Sequence, residues 1–275
     1  MSSLLYGRHV VVQLGTTTST GREYDDLRVQ FGVAMTDSSA PNTAKLEVYG
    51  LAAGTVAAMQ SSDAVVRLLV GYRSQGGVPR LLFQGNPIRG GVHLERRGPD
   101  RVLVIEAQDG GREYTAGHVS ESYGTGTNSG QLFAALATAL GVPLGNVDAV
   151  VADVSFPHGL VLQGRVAEQL DRVAAMSGAR WQIRDGSLQV WKVGGSTGEA
   201  AVLFSAAAGN LIGSPTVTDE GVEVTGLLAP TLRPGKPFRV ESADVQGDYV
   251  ATSLEFKGDS GFATDYYVVA KGAPL

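Results

Sequence analysis

The decisive stretch of the sequence reads VVRLLVGY at Val65–Tyr72, then a polar loop with two glycines, then LLFQGNPI at Leu81–Ile88. Short apolar runs that flank a glycine-bearing loop predict the two strands of a hairpin. The same pattern recurs around this hairpin and again near the C-terminus, at Leu27–Val33, Ala44–Tyr49, Val102–Ala107, Val222–Leu228, Phe238–Glu241, Tyr249–Phe256 and Tyr266–Ala270. Strands at such spacing are typical of sandwiches and barrels. We therefore expect a mainly β protein with a quasi-repeat of two β modules.

The segment between the two modules changes to a helical period. A leucine at every fourth position predicts a helix over Gly130–Leu140, with Asn128 or Ser129 as its N-cap. A second helix is predicted over Gly164–Ser177, where apolar residues share one face. These two helices indicate a small α/β domain inserted between the β modules.

A hairpin is predicted directly after the second helix. Arg180–Arg184 and Ser187–Val193 flank the dipeptide Asp185-Gly186, which is one of the strongest short-range turn signals. Trp181 lies on the strand that would cover the helices. We expect Trp181 to belong to the core of the inserted domain rather than to a surface that binds sugars.

These patterns divide the 275 residues into three segments. Residues 1–108 are predicted to form the first β-barrel module, 109–209 an α/β domain with two helices and a hairpin, and 210–275 the second β-barrel module. The predicted fold class is mainly β with an inserted α/β domain. In this architecture the two barrel modules flank the small helix-plus-hairpin domain.

Composition and charge exclude several classes of function. The chain has no cysteine, which rules out disulfides, thiolate nucleophiles and cysteine-ligated metals. No apolar run approaches the roughly 20 residues of a membrane-spanning helix. Residues 1–108 contain 11 basic and 9 acidic residues, 109–209 contain 6 and 9, and 210–275 contain 5 and 9, so their net charges are +2, −3 and −4. The acidic last segment argues against a surface that binds nucleic acid.

Motifs for catalysis or for a cofactor are not recognisable in the sequence. The segment Gly124–Gly130 reads GxGxxxG rather than GxGxxG and lacks the Lys-Ser/Thr of a P-loop, so we interpret it as a loop that leads into an N-cap. The adjacent acids Asp25-Asp26 and Asp219-Glu220 are typical of solvated turns. Ser2, Ser129, Ser177 and Ser253 do not lie in a GxSxG elbow.

The histidines do not have the spacing of a metal site. They are far apart in the sequence, at His9, His93, His118 and His158. None of them forms the i,i+4 pair of a metalloprotease helix. We therefore predict no catalytic residue, no cofactor-binding residue and no metal ligand, and we expect no bound cofactor.

The chain resembles a known family, the baseplate hub proteins of contractile-tailed bacteriophages and related contractile injection systems, of the late control protein D type. The stretches that carry the resemblance are Asn42–Leu51, Val66–Tyr72, Leu82–Gly85, Gly130–Gly141, Val166–Val193, Leu232–Val240 and Asp248–Asp259. The first three are similar to that family's first tube-like barrel, the next two to its inserted α/β domain, and the last two to its second barrel. The chain is short for the family, which argues against additional peripheral domains. Phe256-Lys257 also stands where the family commonly has a histidine before the Gly-Asp turn.

The resemblance implies a structural virion protein with no enzymatic activity. Hubs of this family are homotrimers in which two barrels per subunit form a pseudo-sixfold ring, which links a hexameric tail tube to a trimeric spike. The implied partners are the tail tube protein, a spike or needle protein, sheath-initiator or wedge proteins and the tape measure protein. DNA is expected to pass through the lumen without specific binding during genome ejection. The implied location is the baseplate of the virion tail, after synthesis in the cytoplasm of the host bacterium.

Two alternatives belong to other classes. A tail-associated cell-wall hydrolase or glycan-binding protein would need a cleft with a pair of acids of perturbed pKa. A tail tube or distal tail ring protein would assemble six copies instead of three.

Overall fold

A computed structural model of the chain describes residues 5–17, 19–115, 117–261 and 265–275. Within these ranges the strands and α-helices are, in chain order, β1 (Arg8–Thr16), β2 (Ser19–Tyr24), β3 (Val29–Thr36), β4 (Thr43–Tyr49), α1 (Ala53–Met59), β5 (Ala64–Tyr72), β6 (Arg80–Arg97), β7 (Asp100–Gln108), β8 (His118–Tyr123), β9 (Thr127–Asn128), α2 (Ser129–Leu140), β10 (Leu144–Val147), α3 (Ala149–Ala152), β11 (Ser155–Phe156), β12 (Leu160–Arg165), α4 (Val166–Ser177), β13 (Ala179–Arg184), β14 (Ser187–Lys192), β15 (Val202–Ser205), β16 (Leu211–Thr218), β17 (Gly221–Leu227), β18 (Pro237–Glu241), β19 (Gln246–Asp259) and β20 (Tyr266–Pro274). None of the helices in this part of the chain has the length and apolar character needed to cross a bilayer.

The structure confirms the mainly β fold class. Each apolar run that the sequence marks as a strand overlaps a strand, and the decisive hairpin forms between β5 and β6 with Val66 opposite Gly85 and Val70 opposite Arg80. Alternate side chains of these strands point into the core, as expected when one face of a sheet is buried. The pattern of apolar residues thus sets the local structure of both β regions.

One large sheet joins the two β regions of the chain. It contains thirteen strands in the described residues, in the order β16-β17-β20-β19-β3-β4-β7-β6-β5-β1-β2, while β18 pairs with β19 and β15 pairs with β18. The bridge is the antiparallel pair β3 and β19, in which Val33 lies opposite Phe256. A single hydrophobic cluster contains residues of both β regions. The sequence predicted nine of these thirteen strands and missed β1, β2, β15 and β16. It also did not predict that the strands share one sheet and one core.

The strand order of this sheet repeats within the chain. In the first five-strand set, which consists of β3 to β7, the spatial order is β3-β4-β7-β6-β5. In the second five-strand set, β16 to β20, the order is β16-β17-β20-β19-β18. The two sets therefore have the same connectivity, as the quasi-repeat in the sequence predicted. The fourth strand of each set, β6 or β19, is long and has an irregular register near its middle.

The inserted segment contains the two predicted helices. Asn128 caps α2 by accepting a hydrogen bond from the backbone N–H of Gln131, and the Gln131 side chain completes the capping box. Helix α4 ends at Gly178, which has the left-handed φ of 64° typical of a C-terminal glycine. The predicted start of α4 was wrong by two residues. Gly164 has a φ of 113°, which is not helical, and it belongs to β12.

The predicted hairpin covers these helices. Asp185 and Gly186 have φ values of 52° and 77°, so both central residues of the turn are left-handed, as a type I′ turn requires. Trp181 is 2% exposed, and its Nε1–H donates to Asp171 Oδ1 at 2.8 Å. Its ring stacks on Tyr114 at 5.3 Å between centroids. Trp181 is therefore a core residue, as the sequence predicted.

The sequence missed several short strands of the inserted segment. Strands β9 and β11 have two residues each, and β10 has four and pairs in parallel with β14. Pieces this short carry no alternating pattern, because they depend on their partner strand for stability rather than on their own composition. Together with β13, β14, α2 and α4 they enclose a second hydrophobic cluster, separate from that of the large sheet.

Candidate functional surface

The large sheet has a polar face opposite its hydrophobic core. Residues that alternate with the core residues in β3, β4, β7, β17, β20 and the C-terminal halves of β6 and β19 point to this face, and the strand registers bring them side by side. The charged residues on the described part of this polar face are Lys45, Glu47, Glu95, Arg97, Asp100, Glu106, Glu223, Glu255, Lys257, Asp259 and Lys271. Seven acids and four bases give it a net charge of −3.

The bases of the polar face lie beside acids. Lys271 Nζ is 3.2 Å from Glu223 Oε2, and Arg97 bonds to both Glu47 and Glu95 at 2.5 to 3.0 Å. Lys257 Nζ is 2.8 Å from Glu255 Oε1, and this hydrogen bond raises the pKa of Lys257. Lys45 lies opposite Glu106 in the β4–β7 register. A polyanion at this face would meet three bases held in ion pairs and an excess of acid, an arrangement that disfavours phosphate contacts.

Asp259 stabilises the bridge between the two five-strand sets through hydrogen bonds. It accepts hydrogen bonds from Arg28 Nη2 at 2.9 Å, from Gln30 Nε2 at 2.7 Å and from the Gly261 N–H at 2.7 Å. Burial by itself raises the pKa of Asp259, but the hydrogen bonds from Arg28 and Gln30 outweigh it and hold the pKa below its usual value. The ionised carboxylate therefore ties the end of β19 to β3 and to the residue before it.

A polar junction connects the inserted segment to the large sheet. The Asp185 N–H donates to Asp109 Oδ2 at 3.0 Å, and Arg233 contacts Asp185 Oδ2 at 3.4 Å while donating to the Leu81 carbonyl at 2.7 Å. Burial of Asp109, which is 2% exposed, and the nearby charge of Asp185 raise the pKa of Asp109 to about 8. The sequence interpreted Asp185 only as a turn residue, because its distant partners come together only in the folded chain.

Gln182 makes a second group of hydrogen bonds across this junction. Its side chain is fully buried, and its Nε2 lies 3.0 to 3.2 Å from the carbonyls of Thr36, Ser38 and Ala40 and from Asn42 Oδ1. These acceptors lie at the end of β3 and in the loop between β3 and β4. The inserted segment is thus held against one end of the first five-strand set by buried hydrogen bonds, which are costly to leave unmade.

The motifs examined in the sequence occupy ordinary structural positions. His9 bonds to the Gly77 carbonyl and His93 contacts Glu95, so these two histidines do not share a site. In the residues that the structure describes, no group of three or more His, Asp or Glu side chains could hold a metal ion. Gly124–Gly130 leads into the Asn128 cap, as interpreted from the sequence. The prediction that the chain has no catalytic or cofactor-binding residue stays a prediction.

Two shallow depressions lie on the polar face, with volumes of about 260 and 320 Å³. Both include Gly32 in their lining, since the absent side chain leaves open space above the sheet. Their volumes lie at the lower end of the roughly 300 to 1,000 Å³ of ligand pockets. On the polar face, the feature that stands out is accordingly the extended surface with its strand edges rather than a cleft.

The fold is shared with solved tail proteins. The 43 kDa tail protein of prophage MuSo2 from Shewanella oneidensis has a TM-score of 0.63 and 11% sequence identity, with 97% of this chain and 98% of that chain covered. A tail protein from Neisseria meningitidis has a TM-score of 0.62 and 12% identity, with 98% and 97% covered. The E. coli c3393 protein, a component of the type VI secretion system, has a TM-score of 0.62 and 10% identity, with 96% and 77% covered. No family model and no curated protein matches the sequence.

Proposed function

From a fold that nearly the whole chain shares with two tail proteins, we propose that this chain is a structural protein of a phage tail and that it acts as the baseplate hub. In this proposal residues 1–108 and 210–275 are two tube-like modules, and residues 109–209 are the inserted α/β domain. Three copies surround a channel, with a hexameric tail tube on one side and a trimeric spike or needle on the other.

The observation that carries this proposal is the repeated strand order. Each chain contains two five-strand sets of the same connectivity. Three copies around a threefold axis therefore supply six similar sets, which match a sixfold tube while the subunits keep the threefold symmetry of a spike. A protein with one such set per chain would need six copies to do the same.

The polar face supports a channel lining. Its net charge of −3 and its paired bases suit a lumen through which DNA slides without binding specifically. In the proposed ring, the core lies outside the channel and the polar face lies inside. Genome ejection then requires no base recognition and no free cationic patch on this face.

The proposed partners follow from the position in the tail. The E. coli protein of the same fold is described as structurally similar to the T4 bacteriophage tail proteins gp27 and gp5, which supports a spike-type partner. We also propose contacts with the tail tube protein, with sheath-initiator or wedge proteins and with the tape measure protein. The location in this proposal is the baseplate of the virion tail, after synthesis in the host cytoplasm.

A hydrolase is the less favoured function. The acid whose pKa is raised, Asp109, is 2% exposed and hydrogen-bonded to the Asp185 backbone, so it does not reach a polysaccharide. We expect the pure protein to show no turnover of peptidoglycan or surface polysaccharide. Hydrolysis that disappears when a single acid is replaced would overturn the proposed structural role.

The number of copies distinguishes a hub from a tube or distal ring protein. Native mass spectrometry of the assembled ring should give about 86 kDa for three copies of the 28.6 kDa chain. A mass of about 172 kDa would indicate six copies and a tube or ring protein. A cryo-EM map of the intact tail should place three copies between the tube and the spike.

A further inference from the structure

The fourth strands of the two five-strand sets differ in their pairing. The C-terminal half of β19, Ser253–Asp259, pairs with β20 on one side and with β3 on the other. The C-terminal half of β6, Val92–Arg97, pairs with β7, and no partner occupies its other side in the described residues. We call this the open edge of β6.

The first strands of the two sets show the complementary difference. Strand β3 pairs with β4 and also with β19. Strand β16 pairs with β17 alone among the described strands. Among the described strands, the second set therefore lacks a partner along its first strand, β16, and the first set lacks one along the C-terminal half of its fourth strand, β6. The bridge inside the chain joins the other first strand, β3, to the other fourth strand, β19.

The ladders show which residues correspond between the sets. In both sets the pairing register between the fourth and fifth strands shifts next to one residue of the fifth strand. This residue is Ala107 on β7 and Gly272 on β20. Counting from these two residues, Leu94 opposite Leu103 corresponds to Phe256 opposite Val268. The same alignment, carried through the second strands, matches Val217 on β16 to Val33 on β3.

The corresponding residues differ in exposure. Phe256 and Val33 lie opposite each other in the bridge, and they are 0% and 1% exposed. Their counterparts Leu94 and Val217 are 42% and 69% exposed. The chain thus contains a second apolar pair that corresponds to the buried pair of the bridge. Its two members lie apart and exposed, Leu94 on the open edge of β6 and Val217 on β16.

We propose that the open edge of β6 in one copy pairs antiparallel with β16 of a second copy, in the register of β19 and β3, so that Leu94 lies opposite Val217 of that copy. This inference rests on the proposed trimeric hub. Three such junctions between copies and three bridges inside copies would join the six five-strand sets in one closed sheet. Each junction would pair the open edge of β6 with the free edge of β16, and unpaired edges are a liability in β proteins.

The charges beside the two edges are complementary. In this register Asp219 lies opposite Val92, and the exposed turn Asp219-Glu220 then approaches the exposed Arg89 at the irregular part of β6. The first segment of the chain has a net charge of +2 and the last a net charge of −4. Attraction between unlike charges favours a second copy of this chain as the occupant and fixes its orientation.

Because the chain has no cysteine, a disulfide between two introduced cysteines can test the proposed pairing of β6 with β16. Opposed residues of an antiparallel pair have Cα atoms about 4.5 to 5.5 Å apart, and a disulfide spans about 4.4 to 6.8 Å. The double variant Leu94→Cys/Val217→Cys should form covalent dimers and trimers on oxidation, visible on a non-reducing gel and removed by reductant. The matched control is Val161→Cys/Val217→Cys, in which Val161 is 56% exposed on β12 of the inserted segment. We expect at least about tenfold less cross-linked product from this control.

Native mass spectrometry of the wild type separates this inference from the proposed function. A trimer without the Leu94–Val217 cross-link, or with equal cross-linking in the control, would overturn the junction and leave the trimeric hub in place. Specific cross-linking with a six-copy mass would support the junction and overturn the trimer. A wild type that stays monomeric and variants that do not cross-link would overturn both. Thermal melting of the reduced variants should match the wild type, since all three substituted side chains are exposed.

Discussion

Strands β6 and β19 have the same place in two sets of the same connectivity. Among the described residues, however, only the C-terminal half of β19 has a partner strand on both sides. β19 buries Phe256 against β3, and its Gly258 is required because a Cβ there would collide with the ring of Phe31. β6 instead has Leu94 and Arg96 at the corresponding positions. A charged, irregular edge resists indiscriminate strand addition. The difference teaches that two strands with the same place in a repeated topology have different residues, which depend on whether the partner strand lies in the same chain.

The largest expected effect comes from truncating the two corresponding residues. Phe256→Ala should lower the free energy of unfolding by about 3 to 5 kcal/mol, because it opens a cavity at the bridge. Leu94→Ala should cost less than about 1 kcal/mol in the dilute monomer, because the side chain is 42% exposed. Denaturant titration at low protein concentration measures both. Equal losses would show that the two strands are not in different environments.

A similar loss of stability is expected from a substitution in the inserted segment, which lies between the two five-strand sets in the sequence and has its own hydrophobic core. Trp181→Ala should cost about 3 to 5 kcal/mol in the inserted segment, because the ring is buried, stacked on Tyr114 and hydrogen-bonded to Asp171. Hydrogen exchange should show faster exchange in α4 and β13 and unchanged protection at the bridge. Trp181→Phe is the matched control and should retain most of the stability. A loss below about 1 kcal/mol would contradict the burial of Trp181.

The smallest effect depends on pH and concerns Asp109, which directly follows the fifth strand of the first set. Its pKa is about 8 in the fold against 3.8 as the ordinary value, so the folded chain keeps a proton that the unfolded chain releases. The contribution of Asp109 to stability is therefore complete below about pH 4 and is lost as the pH rises toward 8. Asp109→Asn should remove this loss, so its stability relative to that of the wild type should rise by about 3 kcal/mol between pH 5 and pH 8.

Urea titrations of both proteins at pH 5 and pH 8 measure this effect. The control is Asp248→Asn, an exposed acid that pairs with Arg239 and whose pKa is lowered by that hydrogen bond. Because its pKa shift is opposite to that of Asp109, its replacement should not relieve a loss of stability at high pH. If Asp109→Asn tracked the wild type across this range, the carboxyl would be ionised in the fold.

Much of the polar face could be predicted from the alternation in the sequence. Lys45 and Glu47 alternate with buried residues on β4, and Glu255 and Lys257 do so on β19. Their facing direction follows from the period of two. Which charges become neighbours could not be predicted, because Lys271 and Glu223 are almost fifty residues apart and meet only through the β17–β20 register. The junction around Asp109 and Gln182 gave no local signal for the same reason.

The sequence by itself determined several local features: the apolar alternation of β5 and β6, the capping of α2, the left-handed Gly178 and the Asp185-Gly186 turn. These features depend on interactions between residues close in the chain, where side-chain pattern and backbone freedom decide the outcome. Only the tertiary structure decided that β3 pairs with β19 and that, in the part of the chain that the structure describes, β6 and β16 each have an open edge. Pairing of distant strands depends on register and on shared burial across the whole sheet, and an apolar run such as that around Leu94 has the same local pattern whether its partner lies in its own chain or in another.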